Sequence, residues 1–315
     1  MSGALSGLTR ARRFHQDDAH IFCRPSQILS EISSTLDFVD TVYKVFRLPE
    51  HKLVLSTRPA NFIGTNSEWE QAETALKKAL DASGKEWSSN RGDGAFYGPK
   101  IDIILKDADG KELQTATIQL DFQLPARFGL VYQAPSPELE RKGIVSTDPV
   151  DTGKSGLVTP VVIHRAIFGS LERFMALLIE HYKGRWPFWL SPRQAIVIPV
   201  VDTDGVLSYA RAVQRTISGY ENAEPGVVGT GKAQYLGRRM FAVDIDTSGQ
   251  TLSKKIKIAK LKKYNHVIVV GEKNICAQTV SLTPRTEPPD SEPKGQELSA
   301  QEVYNLFVSL ERQYL

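Results

Sequence analysis

Residues 114–122 read QTATIQLDF, a stretch in which polar and apolar side chains alternate. In an extended strand, Thr117, Gln119 and Asp121 point to one face, and the intervening apolar side chains point to the other. Three polar side chains on an inward face favour a ligand site over a core, whereas on a solvent-exposed face they indicate only solvation. The apolar face has to be buried against other elements, and this requirement predicts a packed sheet.

The neighbouring sequence predicts the partners of this strand. Residues 100–106 form a second strand, and the turn DADG at residues 107–110 joins the two strands as a hairpin. Apolar residues at helical spacing predict helices at about residues 25–47 and 69–82. Because strands dominate without strict β-α-β alternation, we expect an antiparallel sheet with helices packed on it, which is an α+β fold.

A change of pattern near residues 187–192 predicts two domains, residues 1–189 and residues 190–315. Residues 195–201 read AIVIPVV, an apolar run typical of a buried parallel strand. Helices and strands alternate after it, as in an α/β domain. A segment with little apolar periodicity at about residues 134–159 predicts a surface insertion in the first domain.

The composition is that of a soluble globular protein of 315 residues, 41% hydrophobic and 24% charged. No apolar run is long enough to span a membrane, so we expect no membrane partner. The two cysteines, Cys23 and Cys276, predict no disulfide framework. A formal net charge of +3 is too small to indicate a nucleic-acid partner by itself.

The segment QDDAH at residues 16–20 carries a first candidate site. If the segment is extended, Gln16, Asp18 and His20 share one face, while Asp17 points away from it. An amide, a carboxylate and an imidazole can hold an amino group, a hydroxyl group and a metal ion respectively. Taken alone, the pattern fits a polar strand edge better than a binding site.

Further candidate chemistry lies downstream. A glycine-rich loop contains Tyr97 and ends at Lys100. Tyr97 can accept a hydrogen bond from an ammonium group, and Lys100 can stabilise a phosphate. The alternative is an ordinary turn before a strand. His164 ends a predicted strand. Arg173 lies in the first turns of the following helix, where a guanidinium can clamp a phosphate or pair with a surface glutamate.

Six segments, taken in order, resemble the class II threonyl-tRNA synthetases. From Trp189 onward the resemblance continues into an anticodon-binding domain, and it looks most like fungal mitochondrial members. It implies a partial class II catalytic core built on an antiparallel sheet, followed by an α/β anticodon-binding domain. The six segments are Arg10, RRFHQDDAHIF at 12–22, STRP at 56–59, GAFYGPK at 94–100, QLDF at 119–122 and HRAIFGSLERF at 164–174.

The resemblance implies a threonine–tRNA ligase, with threonine, ATP with Mg²⁺ and threonine tRNA as partners. Threonine first reacts with ATP to give threonyl-adenylate and pyrophosphate, and the threonyl group then passes to the 3′ end of the tRNA. Zinc in this family grips the amino and hydroxyl groups of threonine and so excludes valine. The implied roles are zinc ligation by His20 and His164, threonine binding by Gln16, Asp18, Tyr97 and Gln119, and ATP binding or catalysis by Arg10, Lys100, Gln114, Thr117 and Arg173.

The family's third zinc ligand is a cysteine upstream of the His20 segment, and this sequence has no counterpart to it. Cys23 corresponds to a position that is not a ligand. The arginine that grips the α-phosphate and much of the family's homodimer surface would also precede Met1. We therefore expect an N-terminally shortened chain that binds zinc weakly and does not form threonyl-adenylate by itself.

A lysine-rich helix at about residues 252–263 is the candidate tRNA surface, with Lys254, Lys255 and Lys257 as phosphate contacts. A solvated helix face is the alternative, and the family resemblance favours RNA. The mitochondrial resemblance predicts the mitochondrial matrix as the compartment, with the cytoplasm as the alternative.

Two other functions stay open. One is a catalytically inactive, synthetase-derived protein that binds tRNA or has a regulatory role, which activation and tRNA-binding assays would distinguish. The other is a class II synthetase of another type, such as prolyl or histidyl. The combination of Asp18, His20 and His164 argues against the second possibility.

Overall fold

The computed structural model of the chain describes residues 5–106, 110–134, 156–219, 239–285 and 295–315. The chain divides into two units, Met1–His181 and Tyr182–Leu315. Phe188, which the predicted boundary at residue 189 assigns to the first domain, packs in the hydrophobic core of the second unit. The functional boundary at residue 189 stays a prediction.

A six-stranded sheet forms the centre of the first unit, as far as the described residues extend. In sheet order its strands are β1 (Ala19–Cys23), β8 (Val161–Ala166), β5 (Glu112–Asp121), β4 (Lys100–Lys106), β2 (Lys52–Ser56) and β3 (Trp87–Asn90). Neighbouring strands are antiparallel except β2 and β3, so the predicted α+β class is confirmed. The predicted hairpin of β4 and β5 forms, while residues 107–109 of its turn lie outside the described residues.

Two long helices cover the apolar face of this sheet. α1 (Ile28–Val45) and α2 (Asn66–Ala82) bury apolar side chains that recur at helical spacing. α2 begins after Thr65, whose hydroxyl accepts a hydrogen bond from the Glu68 amide in a capping box. The buried side chains of the central strands, each at most 1% exposed, include Ile101, Ile103, Ile118 and Leu120.

A bulge at Thr115 interrupts the pairing of β4 with β5, where the register shifts between Ile103 and Ile104. The Thr115 hydroxyl turns toward α1 and lies 2.7 Å from the hydroxyl of Tyr43. Gln114 therefore projects from the opposite, polar face, where it meets a carboxylate of β4. Simple alternation along β5 would have placed Gln114 on the helix side.

Shorter elements complete the first unit. They are α3 (Leu124–Arg127), β6 (Tyr132–Ala134), β7 (Gly156–Val158) and α4 (Leu171–Tyr182). β6 and β7 pair with each other at the two ends of the predicted insertion. Residues 135–155, the greater part of that insertion, lie outside the described residues.

The second unit is built on a sheet of a different kind. Its strands, in sheet order, are β10 (Val243–Ile245), β9 (Ala195–Pro199), β11 (His266–Val270), β12 (Val280–Pro284) and β13 (Gln296–Leu298). β9 is parallel to both β10 and β11, and apolar clusters lie on both sides of it, so the predicted α/β architecture is confirmed. The helices are α5 (Asp204–Ser218), α6 (Leu252–Leu261), α7 (Glu272–Ala277) and α8 (Ala300–Arg312).

The structure corrects one lysine of the predicted tRNA surface. Lys255 is only 2% exposed, and its Nζ lies 3.8 Å from Asp202 Oδ1. It belongs to the buried side of α6 and cannot contact a phosphate without leaving that position. Lys254 and Lys257 occupy exposed positions on the same helix.

Among the residues that the structure describes, no helix has both the length and the apolar character needed to cross a membrane.

Candidate active site

The polar face of the first sheet aligns four predicted site residues in one row. The strand register pairs His20 of β1 with His164 of β8, His164 with Gln119 of β5, and Gln119 with Lys100 of β4. Directly opposed residues of neighbouring strands point to the same face. The sheet thus brings together side chains that are far apart in the sequence.

At one end of this row, two histidines and a tyrosine lie in contact. The ring centroids of His20 and His164 are 4.7 Å apart, and those of Tyr97 and His164 are 5.7 Å apart. The Tyr97 hydroxyl donates a hydrogen bond to Gln119 Oε1 over 2.9 Å. This bond fixes the Gln119 amide, so that its nitrogen remains the donor side of the group.

A buried carboxylate supports the histidine end of the row. Asp121 is fully buried, and its Oδ2 lies 2.8 Å from Nε2 of His164. Its Oδ1 accepts from two backbone amides of the following turn, at 2.8 and 3.0 Å. Burial raises the pKa of Tyr97, and the charges of Asp121 and Asp18 raise it further. Tyr97 therefore remains a neutral hydrogen-bond donor near neutral pH.

The implied zinc site is matched only in part. In the described parts of the chain, no group of three or more His, Cys, Asp or Glu side chains could hold a metal ion. Cys23 is an odd number of residues from His20 on β1 and so faces the other side of the sheet. Burial, with the nearby Glu31 charge, raises the pKa of the Cys23 thiol to about 11, which makes it a poor zinc ligand. The described residues supply two imidazoles but no complete donor set.

A cavity of about 310 Å³ lies between the N-terminal segment, β5 and the start of α4. Arg173 reaches it from α4, and its Nε donates to the carbonyl oxygen of Thr9 over 2.9 Å. Gly169 has a φ of +61°, and a Cβ there would lie 2.4 Å from the Thr115 carbonyl oxygen, so this turn requires glycine. The predicted site residues that line the cavity are Arg10, Gln16, Gln114, Thr117 and Arg173.

Not every predicted residue lies where its assigned role places it. Gln16, predicted for threonine, lines the cavity with the arginines and forms an isolated bridge with Ser170. Asp18 is exposed, close enough to Tyr97 for its charge to affect that hydroxyl. Lys100 lies 2.9 Å from Asp102, a buried carboxylate for which the sequence predicted no role.

A second carboxylate ties the QDDAH segment to the turn before α4. Asp17 accepts the Ile167 amide on Oδ2 (2.8 Å) and the Phe168 amide on Oδ1 (3.0 Å). Beside it, His15 Nδ1 lies 2.7 Å from Glu172 Oε1, and this contact is the main cause that lowers the pKa of Glu172 to about 2. Two segments that carry predicted site residues are therefore held together by charge-assisted hydrogen bonds.

Asp17→Ala is expected to destabilise the first unit by about 2 kcal/mol, because two backbone amides lose a charged acceptor. Urea unfolding of both proteins measures this difference. Asp37→Ala, at an exposed position of α1, is the matched control and should change stability by less than about 0.5 kcal/mol. Equal effects of the two substitutions would contradict the role assigned to Asp17.

A wider cavity, of about 720 Å³, is lined by Asp40, His51 and Lys85 among other residues and contains none of the predicted site residues. Cavity size therefore does not locate the site in this protein. The candidate site is defined instead by the convergence of predicted residues on the polar sheet face.

Comparison with protein families gives two matches. Residues 1–182 match the family described as tRNA synthetase class II core domain (G, H, P, S and T). Residues 194–310 match the anticodon binding domain. The first match contains the row and the cavity, and the second contains the α/β sheet with its lysine-bearing helix.

Relatives and solved structures agree with these matches. The chain is 49% identical to a probable mitochondrial threonine–tRNA ligase of Schizosaccharomyces pombe, over 90% of this chain and 56% of the relative. It is also 49% identical to threonine–tRNA ligase 1, cytoplasmic, of Bos taurus, over 90% of this chain and 34% of the relative. The chain thus spans about half of one relative and a third of the other.

A crystal structure described as the RNA binding domain of threonyl-tRNA synthetase from Cryptosporidium parvum Iowa II superposes with a TM-score of 0.80 at 41% identity. That match covers 98% of this chain and 67% of the other. The family match spans more than half of the chain, and the sheet, the row and the relatives are consistent with it. The chain belongs to the class II tRNA synthetases, and within that family it resembles the threonyl-tRNA synthetases.

Proposed function

We propose that the chain provides the substrate-binding sheet and the anticodon-binding domain of a threonine–tRNA ligase. The observation that carries this proposal is the row from His20 to Lys100, in which the two histidines, the threonine candidate Gln119 and the phosphate candidate Lys100 lie on one face of the sheet. The relatives are threonine–tRNA ligases from several organisms, and this supports threonine as the substrate. The class II core implies ATP with Mg²⁺ as the second substrate.

In this proposal, threonine binds at the histidine end of the row. Gln119, held by Tyr97, presents an amide to the amino acid, and Asp18 accepts a hydrogen bond from the threonine hydroxyl. Valine lacks that hydroxyl and would leave the carboxylate of Asp18 without its partner. Zinc stays a prediction from the resemblance, with His20 and His164 as its ligands, and no part of the mechanism below depends on it.

ATP occupies the cavity beside the row. A carboxylate oxygen of threonine attacks the α-phosphorus, and the bond to pyrophosphate breaks, which leaves threonyl-adenylate. Arg10, Arg173 and Lys100 offset the negative charge of the phosphates, and Gln114 and Thr117 bind the adenylate. A ribose hydroxyl at the 3′ end of the tRNA then attacks the threonyl carbonyl carbon, and AMP leaves.

Two finer properties are proposed with the function. The mitochondrial matrix is the proposed compartment, on the resemblance to fungal mitochondrial members; because the cytoplasmic bovine relative is equally identical at 49%, the cytoplasm is the second candidate. A homodimer is proposed from the family resemblance. Fractionation of cells that express the tagged full-length protein tests the first property, and light scattering tests the second.

Calorimetric binding of a non-hydrolysable threonyl-adenylate analogue to this chain tests the threonine and ATP sites together. We expect binding that is about a hundredfold tighter than that of the valyl analogue. Gln119→Ala should weaken it roughly tenfold, whereas Gln71→Ala, at an exposed position of α2, should leave it unchanged. Equal affinity for prolyl or histidyl analogues would overturn the threonine assignment. Binding of tRNA without any analogue binding would favour the inactive tRNA-binding protein instead.

Threonine-dependent exchange between ATP and pyrophosphate tests turnover, with zinc supplied. The chain alone is expected to show no exchange. The chain inserted into the S. pombe relative, in place of the matching segment, is expected to restore it. Exchange by the chain alone would show that the site is more complete than the sequence resemblance implies.

The salt dependence of tRNA binding tests the α6 surface. Lys254→Ala and Lys257→Ala are each expected to reduce the slope of log affinity against log salt by about one, because each removes a phosphate contact. Lys255→Met is the matched control, since Lys255 is buried and should leave the slope unchanged. A slope that responds to Lys255 but not to its exposed neighbours would contradict this surface.

A further inference from the structure

We infer that Asp102 is the positioning residue for the nucleotide half of the site, an inference that rests on the proposed function. Asp102 lies in the middle of β4, in the sequence KIDIILK, and is only 4% exposed. A carboxylate in an otherwise apolar strand is expensive to bury unless several donors surround it. Its position in a strand of the central sheet is therefore informative.

Four side chains surround this carboxylate, and three of them are predicted ATP-site residues. Oδ1 accepts from Gln114 Nε2 at 2.5 Å and from Thr117 Oγ1 at 3.1 Å. Oδ2 accepts from Ser56 Oγ at 2.8 Å and lies 2.9 Å from Lys100 Nζ. Asp102 is thus the common partner of side chains from β2, β4 and β5.

The chemistry of these contacts fixes how each partner is presented. A carboxylate only accepts, so Gln114 must turn its amide nitrogen toward Asp102 and its Oε1 away. Thr117 likewise donates its hydroxyl hydrogen to Asp102, so its oxygen can still accept a hydrogen bond from another donor. Asp102 thereby makes Gln114 and Thr117 acceptors for the donor groups of a bound nucleotide.

The same carboxylate restrains Lys100. The lysine side chain is 18% exposed, and its ammonium is held near the row mainly by Asp102 at 2.9 Å, with the more exposed Asp93 farther away at 3.9 Å. A lysine ammonium has three donors, so the contact leaves others for a phosphate. Asp102 does not touch the ligand in this arrangement; it acts through Lys100, Gln114 and Thr117.

Asp102→Asn keeps the size of the side chain but replaces one acceptor oxygen with a donor. The new amide cannot accept from all four partners, so Gln114, Thr117 or Lys100 must turn away. We expect the affinity for a non-hydrolysable ATP analogue to fall by roughly tenfold to a hundredfold, while the affinity for threonine stays unchanged. Asp102→Glu, which keeps the carboxylate, should recover part of the loss. Glu112→Gln removes an exposed partner of Lys52 on the same hairpin and is the matched control.

A ligand-independent readout keeps this inference separate from the proposed function. Acetic anhydride labelling of the folded chain, followed by mass spectrometry, measures how firmly Lys100 is held. We expect Lys100 of Asp102→Asn to react several-fold faster than in the wild type, and Lys100 of Glu112→Gln to react at the wild-type rate. Unchanged Lys100 reactivity in Asp102→Asn would overturn the inference, even if the wild-type chain binds both ligands.

The binding measurements distinguish positioning from general stability. Equal losses of ATP-analogue and threonine affinity, together with a lower melting temperature, would assign Asp102 a structural role only and overturn the inference. A wild-type chain that binds neither ligand would reject the proposed function, and the labelling result would still decide whether Asp102 holds Lys100.

Discussion

Gly98→Ala is expected to remove binding of the threonyl-adenylate analogue almost completely. A Cβ at this position would lie 1.9 Å from the carbonyl oxygen of Leu120 and 3.0 Å from its carbonyl carbon. Both are backbone atoms of β5, so the overlap can be relieved only if the loop or the strand moves. A displacement of about 1 Å would separate Tyr97 from Gln119 and costs roughly a hundredfold in affinity. The overpacked strand should also destabilise the first unit by about 3 kcal/mol.

Calorimetry and urea unfolding measure the two effects of this substitution. Gly205→Ala is the control, because nothing lies within 4 Å of a Cβ at that position in α5. It should stabilise its helix by about 0.5 to 1 kcal/mol, since alanine lowers the entropy of the unfolded chain. An affinity of Gly98→Ala for the analogue within a factor of about three of the wild type would contradict the close approach of the loop to β5.

Acid is expected to destabilise the second unit by about 3 kcal/mol between pH 6.5 and pH 4, through His266. His266 is 7% exposed at the start of β11, with ring centroids 5.5 Å from Phe188 and 4.9 Å from Phe307. Burial, partly opposed by a backbone contact at Gln194 and assisted by the Arg285 charge, lowers the pKa of His266 from 6.5 to about 4. The unfolded chain binds the proton at higher pH than the folded one, so stability is fully present above pH 6.5 and is lost as the pH falls toward about 4.

Urea unfolding of the wild type and His266→Leu, each near pH 7 and near pH 4.5, isolates this contribution. Leucine has a similar volume. The Nδ1 atom of His266 has no hydrogen-bond partner among the described residues, so at that atom leucine leaves no partner unpaired. His51, whose pKa is also lowered by burial, contributes equally to both proteins and cancels in the comparison. The same pH dependence in both proteins would show that His266 does not carry the acid sensitivity.

The sequence predicts the polar sheet face well where the pairing is regular. From Thr117 to Asp121, β5 pairs without interruption with β8, and alternation assigns the faces correctly. Alternation alone would place Gln114 on the helix side, but a bulge adds a residue to the strand and turns Gln114 to the polar face, where the family resemblance places it. That bulge depends on Thr115 and Tyr43, which are 72 residues apart, and no local pattern reveals such a contact.

The three supporting carboxylates were harder to predict for a related reason. Asp17, Asp102 and Asp121 act by accepting hydrogen bonds from groups on other segments, and a sequence pattern does not show which amides lie nearby. One feature of the sequence does point to Asp102, because an acidic residue inside an apolar strand has to find hydrogen-bond donors when it is buried. Lys255 shows the opposite error, because its place in a basic run predicts exposure, whereas it lies on the buried side of α6.

The alternation of faces along β5 has a consequence for how this protein can change over generations. Thr117 and Gln119 lie on the polar face with the other candidate site residues, whereas Ile118 and Leu120 lie on the buried apolar face. Under the proposed function, we expect a mutation in the first pair to change what is bound without opening a void in the core, and a mutation in the second pair to change stability without touching the ligand. We therefore expect neighbouring positions of one strand to answer to different requirements, the first pair to binding and the second pair to stability.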